Sequence, residues 1–261
     1  MRRVLSLGAG VQSTTMLLMA LEGELEMPDC AIFADTGWEP RAVYEHLAWL
    51  ESYAAKRGFP VYRASAGNLR DDAVAAVAGG NGRLASMPFF VKNPDGSKGV
   101  LRRQCTYEYK IAPIRRKVKE LYGSKVKAEL WLGISLDEVE RMKPSDVKWL
   151  RNRWPLIEKR MTRLACLRWL EANGFPLPPR SSCIGCPYHD DAFWRALRDE
   201  FPEEWQDAVE FDRMIRHLPR IKGDVYLHRS LVPLDEVDLS TPEDHGQLTL
   251  FIDECEGMCG L

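Results

Sequence analysis

Long apolar runs are missing from this 261-residue chain, which excludes a helical membrane protein. Excess charge of one sign is missing too: 36 Lys and Arg stand against 38 Asp and Glu, a net charge of −2. Internal repeats and long low-complexity tracts are absent, which excludes solenoids and a disordered scaffold. Met1-Arg2-Arg3 runs straight into a strand-like stretch, so a signal peptide is not expected and the reading is cytoplasmic. The seven cysteines, at 30, 105, 166, 183, 186, 255 and 259, are an odd number without a secretion signal. That argues against a disulfide framework and for a metal or reactive thiols. Both standard nucleotide fingerprints are also lacking: no Gly-Lys-Ser/Thr ends a Walker loop, and the glycine spacing does not suit the dinucleotide pattern.

What is present begins at Val4 to Thr15. Two apolar residues lead into Ser6-Leu7-Gly8-Ala9-Gly10-Val11-Gln12-Ser13-Thr14-Thr15, and Met16 to Leu21 continues as a good helix. This is a strand, a tight loop and a helix start, where free amides and the positive helix end suit a phosphate or sulfate. An ordinary glycine-containing strand-to-helix turn has the same pattern. Strand-like segments follow at Cys30–Ala34, 59–63 and Ala128–Ile134, with a helical pattern from Arg41 to Arg57. This alternation predicts an α/β fold with a doubly wound, mostly parallel sheet. Asp35-Thr36-Gly37 closes the second strand, at the sheet edge where α/β ligand sites lie, although each of the three residues also favours a plain turn. Asn93-Pro94-Asp95-Gly96 marks a hairpin or flap between Gly79 and Gly99. Helices are expected over Cys166–Leu170, Ala192–Leu197 and Glu203–His217, and an edge strand over Val225–His228.

Charge is distributed unevenly. Basic zones cover Arg102 to Lys127 and Arg141 to Arg163, whereas the tail from Asp235 is acidic. A basic zone is either a solvated helix face or a floor for an anionic nucleotide or nucleic-acid backbone.

Gly8-Ala9-Gly10-Val11-Gln12-Ser13 resembles the PP-loop of the ATP pyrophosphatase superfamily, with Gln12 in place of the usual Asp, as in its phosphoadenylylsulfate-reductase branch. Asp35-Thr36-Gly37 with Glu39, the block Cys105 to Pro113, and Gly133-Ile134 followed by Glu138 and Arg141 extend the resemblance. So do Cys183-Ile184-Gly185-Cys186-Pro187 and the final Met258-Cys259-Gly260-Leu261, so that it covers nearly the whole chain. It implies an adenine-nucleotide α-hydrolase-like domain over 1–158 and a helical, cysteine-bearing lobe and tail over 159–261. Ser6, Gly8, Gly10, Gln12, Ser13, Thr14, Asp35, Thr36 and Gly133 would then hold ATP or an adenylylated sulfate, with Mg2+ a possible companion. Arg102, Arg103, Lys110, Arg141 and Arg163 would neutralise the anionic end. For Arg141 an ion pair with Glu138 or Asp137 on one helix face is the competing expectation.

By the same resemblance Cys105, Cys183 and Cys186, with Cys166 as fourth ligand, would carry a [4Fe–4S] cluster. Thr106 replaces a second family cysteine, four thiolates would equally hold zinc, a Cys-x-x-Cys pair without metal could be redox-active, and Cys166 also fits a core position.

Three functions are therefore weighed. In a sulfonucleotide reductase, Cys259, or the neighbouring Cys255, attacks sulfur and is regenerated by a thioredoxin-like donor. In an ATP pyrophosphatase-type sulfurtransferase, a nucleic acid is adenylated and thiolated with sulfur from a cysteine desulfurase or cluster. The third function is a zinc-stabilised nucleotide or nucleic-acid binding module.

Overall fold

The first strand, β1 (Arg2–Leu7), has Val4, Leu5 and Leu7 buried, as befits a strand covered on both faces of a parallel sheet. It pairs with β2 (Cys30–Asp35) on one side and with β6 (Ala128–Trp131) on the other, both in parallel. β3 (Val61–Ser65) and β7 (Leu150–Arg153) extend the sheet to the order β3-β2-β1-β6-β7. The doubly wound α/β expectation is met.

Residues 1–78, 87–219, 221–240 and 244 are described by this computed structural model. Among them, those of 1–66 and 107–181 form one compact unit, and those of 67–106 and 182–244 form a second. Each unit is thus made of stretches discontinuous in sequence. The chain leaves the parallel sheet after β3, and its next strands pair with a strand far downstream.

In the first unit, α1 (Val11–Leu21) and α2 (Arg41–Ala55) pack on one sheet face with α6 (Arg163–Ala172). Leu5, Leu17, Phe33, Leu47 and Leu170 are buried there. The other face is covered by α4 (Ala112–Tyr122) through Ile114 and Val118, packed with Ile32, Leu130 and Leu132. A π-helical turn, Thr106–Ile111, precedes α4, and a 3-10 turn, Leu136–Arg141, follows β6.

The second unit holds α3 (Leu69–Val77), the hairpin β4 (Phe90–Lys92) and β5 (Lys98–Val100), α7 (Asp191–Glu200), α8 (Pro202–Met214) and β8 (Asp224–Tyr226). The hairpin turns where the Asn93-Pro94-Asp95-Gly96 signal lies, with Asn93 N–H donating to the Ser97 carbonyl at 2.9 Å and Gly96 at φ +82°. β8 pairs antiparallel with β4 at the edge of this small sheet, as expected. Gly223 is needed there, because a Cβ would sit 2.4 Å from the Lys92 carbonyl oxygen. Asp212 is fully buried and ties the unit together: it accepts from the Leu227 amide at 2.8 Å and the Leu234 amide at 3.2 Å, and pairs with Arg216. Losing it would leave two buried amides and a guanidinium without their acceptor.

One buried contact in the first unit reports on pH. His46 of α2 lies 3.1 Å from the Thr14 hydroxyl of α1, and burial pushes its imidazole from 6.5 down to about 4. The folded state therefore holds a neutral ring where the unfolded chain takes up a proton. Stability is full above pH 6.5 and falls as the pH drops from there toward 4, by up to roughly 3 kcal/mol at ~1.36 kcal/mol per pH unit. Urea midpoints measured across that window should decline for the natural chain and lie nearly flat for His46→Gln. Parallel profiles would refute this assignment.

Candidate functional site

The carboxyl ends of β1 and β6 flank the point where the sheet's winding reverses, the crevice in which doubly wound sheets bind ligands. The chain leaves β1 through Gly8, which is exposed, and Ala9, which is buried with φ +57°. A left-handed alanine costs on the order of 1 kcal/mol, and such strain concentrates at ligand-binding turns. Gly10 then caps α1 with no side-chain hydrogen bond, and no acidic residue occupies the first turn. A helix start of this kind presents amides and partial positive charge to an incoming anion.

Ser13 fixes the loop. Its hydroxyl accepts from Gly8 N–H at 3.0 Å and donates to the Gly10 carbonyl at 3.3 Å. Gly133, just past β6, makes the closest approach: a Cβ there would lie 3.0 Å from Ser13 N and 3.3 Å from Gln12 Cβ. Ser181 closes in from another side. Its hydroxyl donates to the Gly8 carbonyl, and a Cβ on Gly10 would stand 3.2 Å from Ser181 Cβ. Ser6 lies partly buried on β1, beside Ile32 of β2.

The structure gives Gln12 partners. Its amide nitrogen donates to Glu138 Oε2 at 3.2 Å and to Ser135 Oγ at 3.4 Å. Glu138 is also ion-paired with Arg141, so Arg141 is engaged in the i to i+3 pair that was the competing expectation. Next to it the Asp137 carboxylate accepts from the backbone N–H of Arg163, with both oxygens at 3.1 Å.

A second set of polar groups stands at the end of β2. Asp35 accepts from the Tyr44 hydroxyl at 2.8 Å and from Gly37 N–H at 2.9 Å. Burial first, and then this carboxylate, push the Tyr44 phenol well above its ordinary value. The Thr36 hydroxyl donates to Glu39 Oε1 at 3.2 Å, and Lys110 lies 3.4 Å from the same oxygen. Glu39 is buried, which gives this ion pair a partly desolvated setting. The first unit therefore holds the expected loop with Gln12, Gly133 and Arg141 at one set of contacts and Asp35, Thr36 and Lys110 at another. Arg102 and Arg103 belong to the second unit, where Arg102 is exposed and the Arg103 guanidinium sits 5.8 Å from the Tyr188 ring centroid.

Sequence reading did not single out Tyr44, His46 or Ser181. Tyr44 and His46 read as members of a helix face, and Ser181 gains meaning only once it meets Gly8 and Gly10.

Cys183 and Cys186 share one buried turn closed by Cys186 N–H donating to the Cys183 carbonyl at 3.1 Å, with His189 bonded to that same carbonyl at 2.9 Å. Cys166 is in the first unit's apolar core with Leu17, Leu156 and Leu170, and burial pushes its thiol up to about 12. In this setting Cys166 packs as a core residue, the reading that its apolar helix position also allowed. Among the described residues, no three His, Cys, Asp or Glu side chains are grouped so as to hold a metal ion. Cys255 and Cys259 lie outside the described residues. No helix of the described residues is long and apolar enough to cross a membrane.

No family model and no curated protein matches this sequence. Among solved structures the chain is similar to a phosphoadenylyl-sulfate (PAPS) reductase from Candida auris in a phosphate complex. The identity is 15%, with 68% of this chain and 75% of that one covered and a TM-score of 0.45. It is also similar to the U34-tRNA thiolase NcsA from Methanococcus maripaludis with its [4Fe-4S] cluster, at 15% identity, 91% and 82% coverage and a TM-score of 0.44. Likeness at this level transfers no residue role to this chain, whose α/β architecture stands on its own strand order.

Proposed function

We propose that the first unit binds an adenine nucleotide with its phosphate chain over Gly8 to Ser13 and the start of α1, and that the protein is an enzyme of nucleotide-dependent sulfur chemistry. The observation that carries this reading is the helix start itself, with no side-chain cap, no acid in its first turn and an exposed Gly8 leading into it at the reversal of the sheet. Gly133, without a side chain, lets the end of β6 approach until a Cβ there would lie 3.0 Å from Ser13 N. The sulfur half of the reading rests on the sequence resemblance and on the two thiols of the Cys183–Cys186 turn.

In the reductase form, a thiolate attacks the sulfur of an adenylylated sulfate and the nucleotide leaves as a phosphate monoester. The S-sulfocysteine is then cleaved by a thiol donor, which forms a disulfide and releases sulfite. Cations such as Lys110 and Arg141 would bind and neutralise the anionic end, and the loop amides would orient the phosphates. In the sulfurtransferase form, an oxygen of a nucleic-acid substrate attacks the α-phosphate of ATP, pyrophosphate leaves, and a sulfur nucleophile displaces AMP. One observation favours this second form: the cationic face of α4 has more positive charge than its carboxylates neutralise.

Product analysis separates the two. Sulfite released from adenylylsulfate or phosphoadenylylsulfate with a dithiol present supports the reductase. AMP and pyrophosphate formed from ATP only when nucleic acid is added supports the sulfurtransferase. Neither product under either condition would refute the enzyme reading.

The loop itself is tested by calorimetric titration with ATP. Gly133→Ala should weaken binding about tenfold, ~1.4 kcal/mol, by displacing the first turn of α1. Gly99→Ala, in the second unit, where no positive φ is required and a Cβ would meet only ordinary contacts at 3.7 Å, supplies the matched comparison. Equal affinities for both variants would exclude the loop as the phosphate site.

A further inference from the structure

Between 115 and 127 the chain carries six cations, Arg115, Arg116, Lys117, Lys119, Lys125 and Lys127, against one carboxylate, Glu120. Two of them are already neutralised, Arg115 by Asp146 and Lys117 by Glu120 at 2.7 Å. Arg116, Lys119, Lys125 and Lys127, together with Lys148, are exposed and have no carboxylate in ion-pair range among the described residues.

These five lie on α4 or on segments that run beside or follow it. Arg116 and Lys119 are three apart on α4 and so lie on one helix face. Residues 146–149 run beside that helix: Asp146 meets Arg115, and Lys119 Nζ stands 5.0 Å from the Trp149 ring centroid. Lys148 is therefore brought alongside. Lys125 and Lys127 follow the end of α4, and the next residue, Ala128, donates its N–H to the Trp149 carbonyl at 2.9 Å.

We propose that this face docks the phosphodiester backbone of a nucleic-acid duplex. The eleven residues of α4 extend about 16 Å, a length over which a duplex displays several phosphates at one charge per ~1.7 Å of axis. An anionic membrane fits less well: none of the exposed large hydrophobic side chains lies on α4, on 123–127 or on 143–149, so there is nothing to insert among acyl chains. The proposal deepens the sulfurtransferase reading by naming its macromolecular partner. It is tested without nucleotide, so failure of the loop and failure of this face give different results.

The test is anisotropy of a short labelled duplex titrated with the full chain between about 50 and 200 mM salt. Lys119→Glu/Lys125→Glu/Lys127→Glu should weaken binding at least about tenfold and flatten the slope of log affinity against log salt by about 2.7, three contacts at ~0.9 each. Lys56→Glu/Lys92→Glu/Lys98→Glu changes the net charge equally at exposed positions elsewhere and should leave the slope as it was. Equal losses in the two triple variants, no duplex binding by the natural chain at the lowest salt, or tighter binding to anionic lipid vesicles than to the duplex would each overturn the proposal. Urea midpoints of both variants, unchanged from the natural chain, confirm that the fold is intact.

Discussion

The contact on which the candidate site depends is the approach of β6 to the first turn of α1. A parallel sheet that reverses its winding between two neighbouring strands opens a crevice there, and a crevice serves a phosphate only if backbone amides line it at short range. Gly133 allows that range. With any larger residue the β-carbon would meet Ser13 N at 3.0 Å, so either the strand end or the helix start would have to move. The hydroxyl of Ser13, clamped between the Gly8 amide and the Gly10 carbonyl, then sets the loop's shape, and buried Thr14 and His46 brace it from beneath.

Much of this architecture was legible because it is local. β1, β2 and α2 are long, strongly patterned and bounded by turn residues, and the Asn93 to Gly96 signal turned where it stood. Two elements escaped for opposite reasons. β7 reads Leu-Arg-Asn-Arg, a polar string without alternation, and its place is won through the β6 ladder and through Arg151 and Arg153 reaching Glu129 at 2.6 and 3.4 Å. α3 did carry a signal, Asn68 capping the amides of Arg70 and Asp71 at 2.9 and 3.1 Å, ahead of two acids in the first turn. That signal went unused because no strong apolar stripe followed it. The division into units was invisible for a further reason: β4 finds its partner β8 more than 130 positions downstream, and nothing in a linear pattern encodes so distant a pairing.

At Cys166 the resemblance and the core lay claim to one residue. Spacing alone made Cys166 a plausible fourth ligand, since it lies close in sequence to Cys183 and Cys186. Its surroundings are apolar, so it also serves the core, and burial there raises the cost of ionising its thiol. Cys183 and Cys186 remain a matched pair on one turn, held from outside by His189, which stacks on Phe193 with ring centroids 3.5 Å apart.

The first unit thus offers anions two devices that obey different physics. At the α1 start, on the proposed reading, backbone amides would act by direct hydrogen bonding, which salt screens weakly. On α4 and its neighbours, flexible ammonium groups in water act through displaced counterions, and their attraction decays steeply as salt rises. The amide corner rewards a single phosphate chain held in one geometry, whereas the lysine face rewards many phosphates held loosely and tells no sequence from another. An enzyme that reacts with a nucleotide alone needs only the first device. In a chain whose total charge is −2, five exposed cations on and beside α4 have no carboxylate in ion-pair range among the described residues. It is on this local departure from balance that the proposed docking of a polyanion rests.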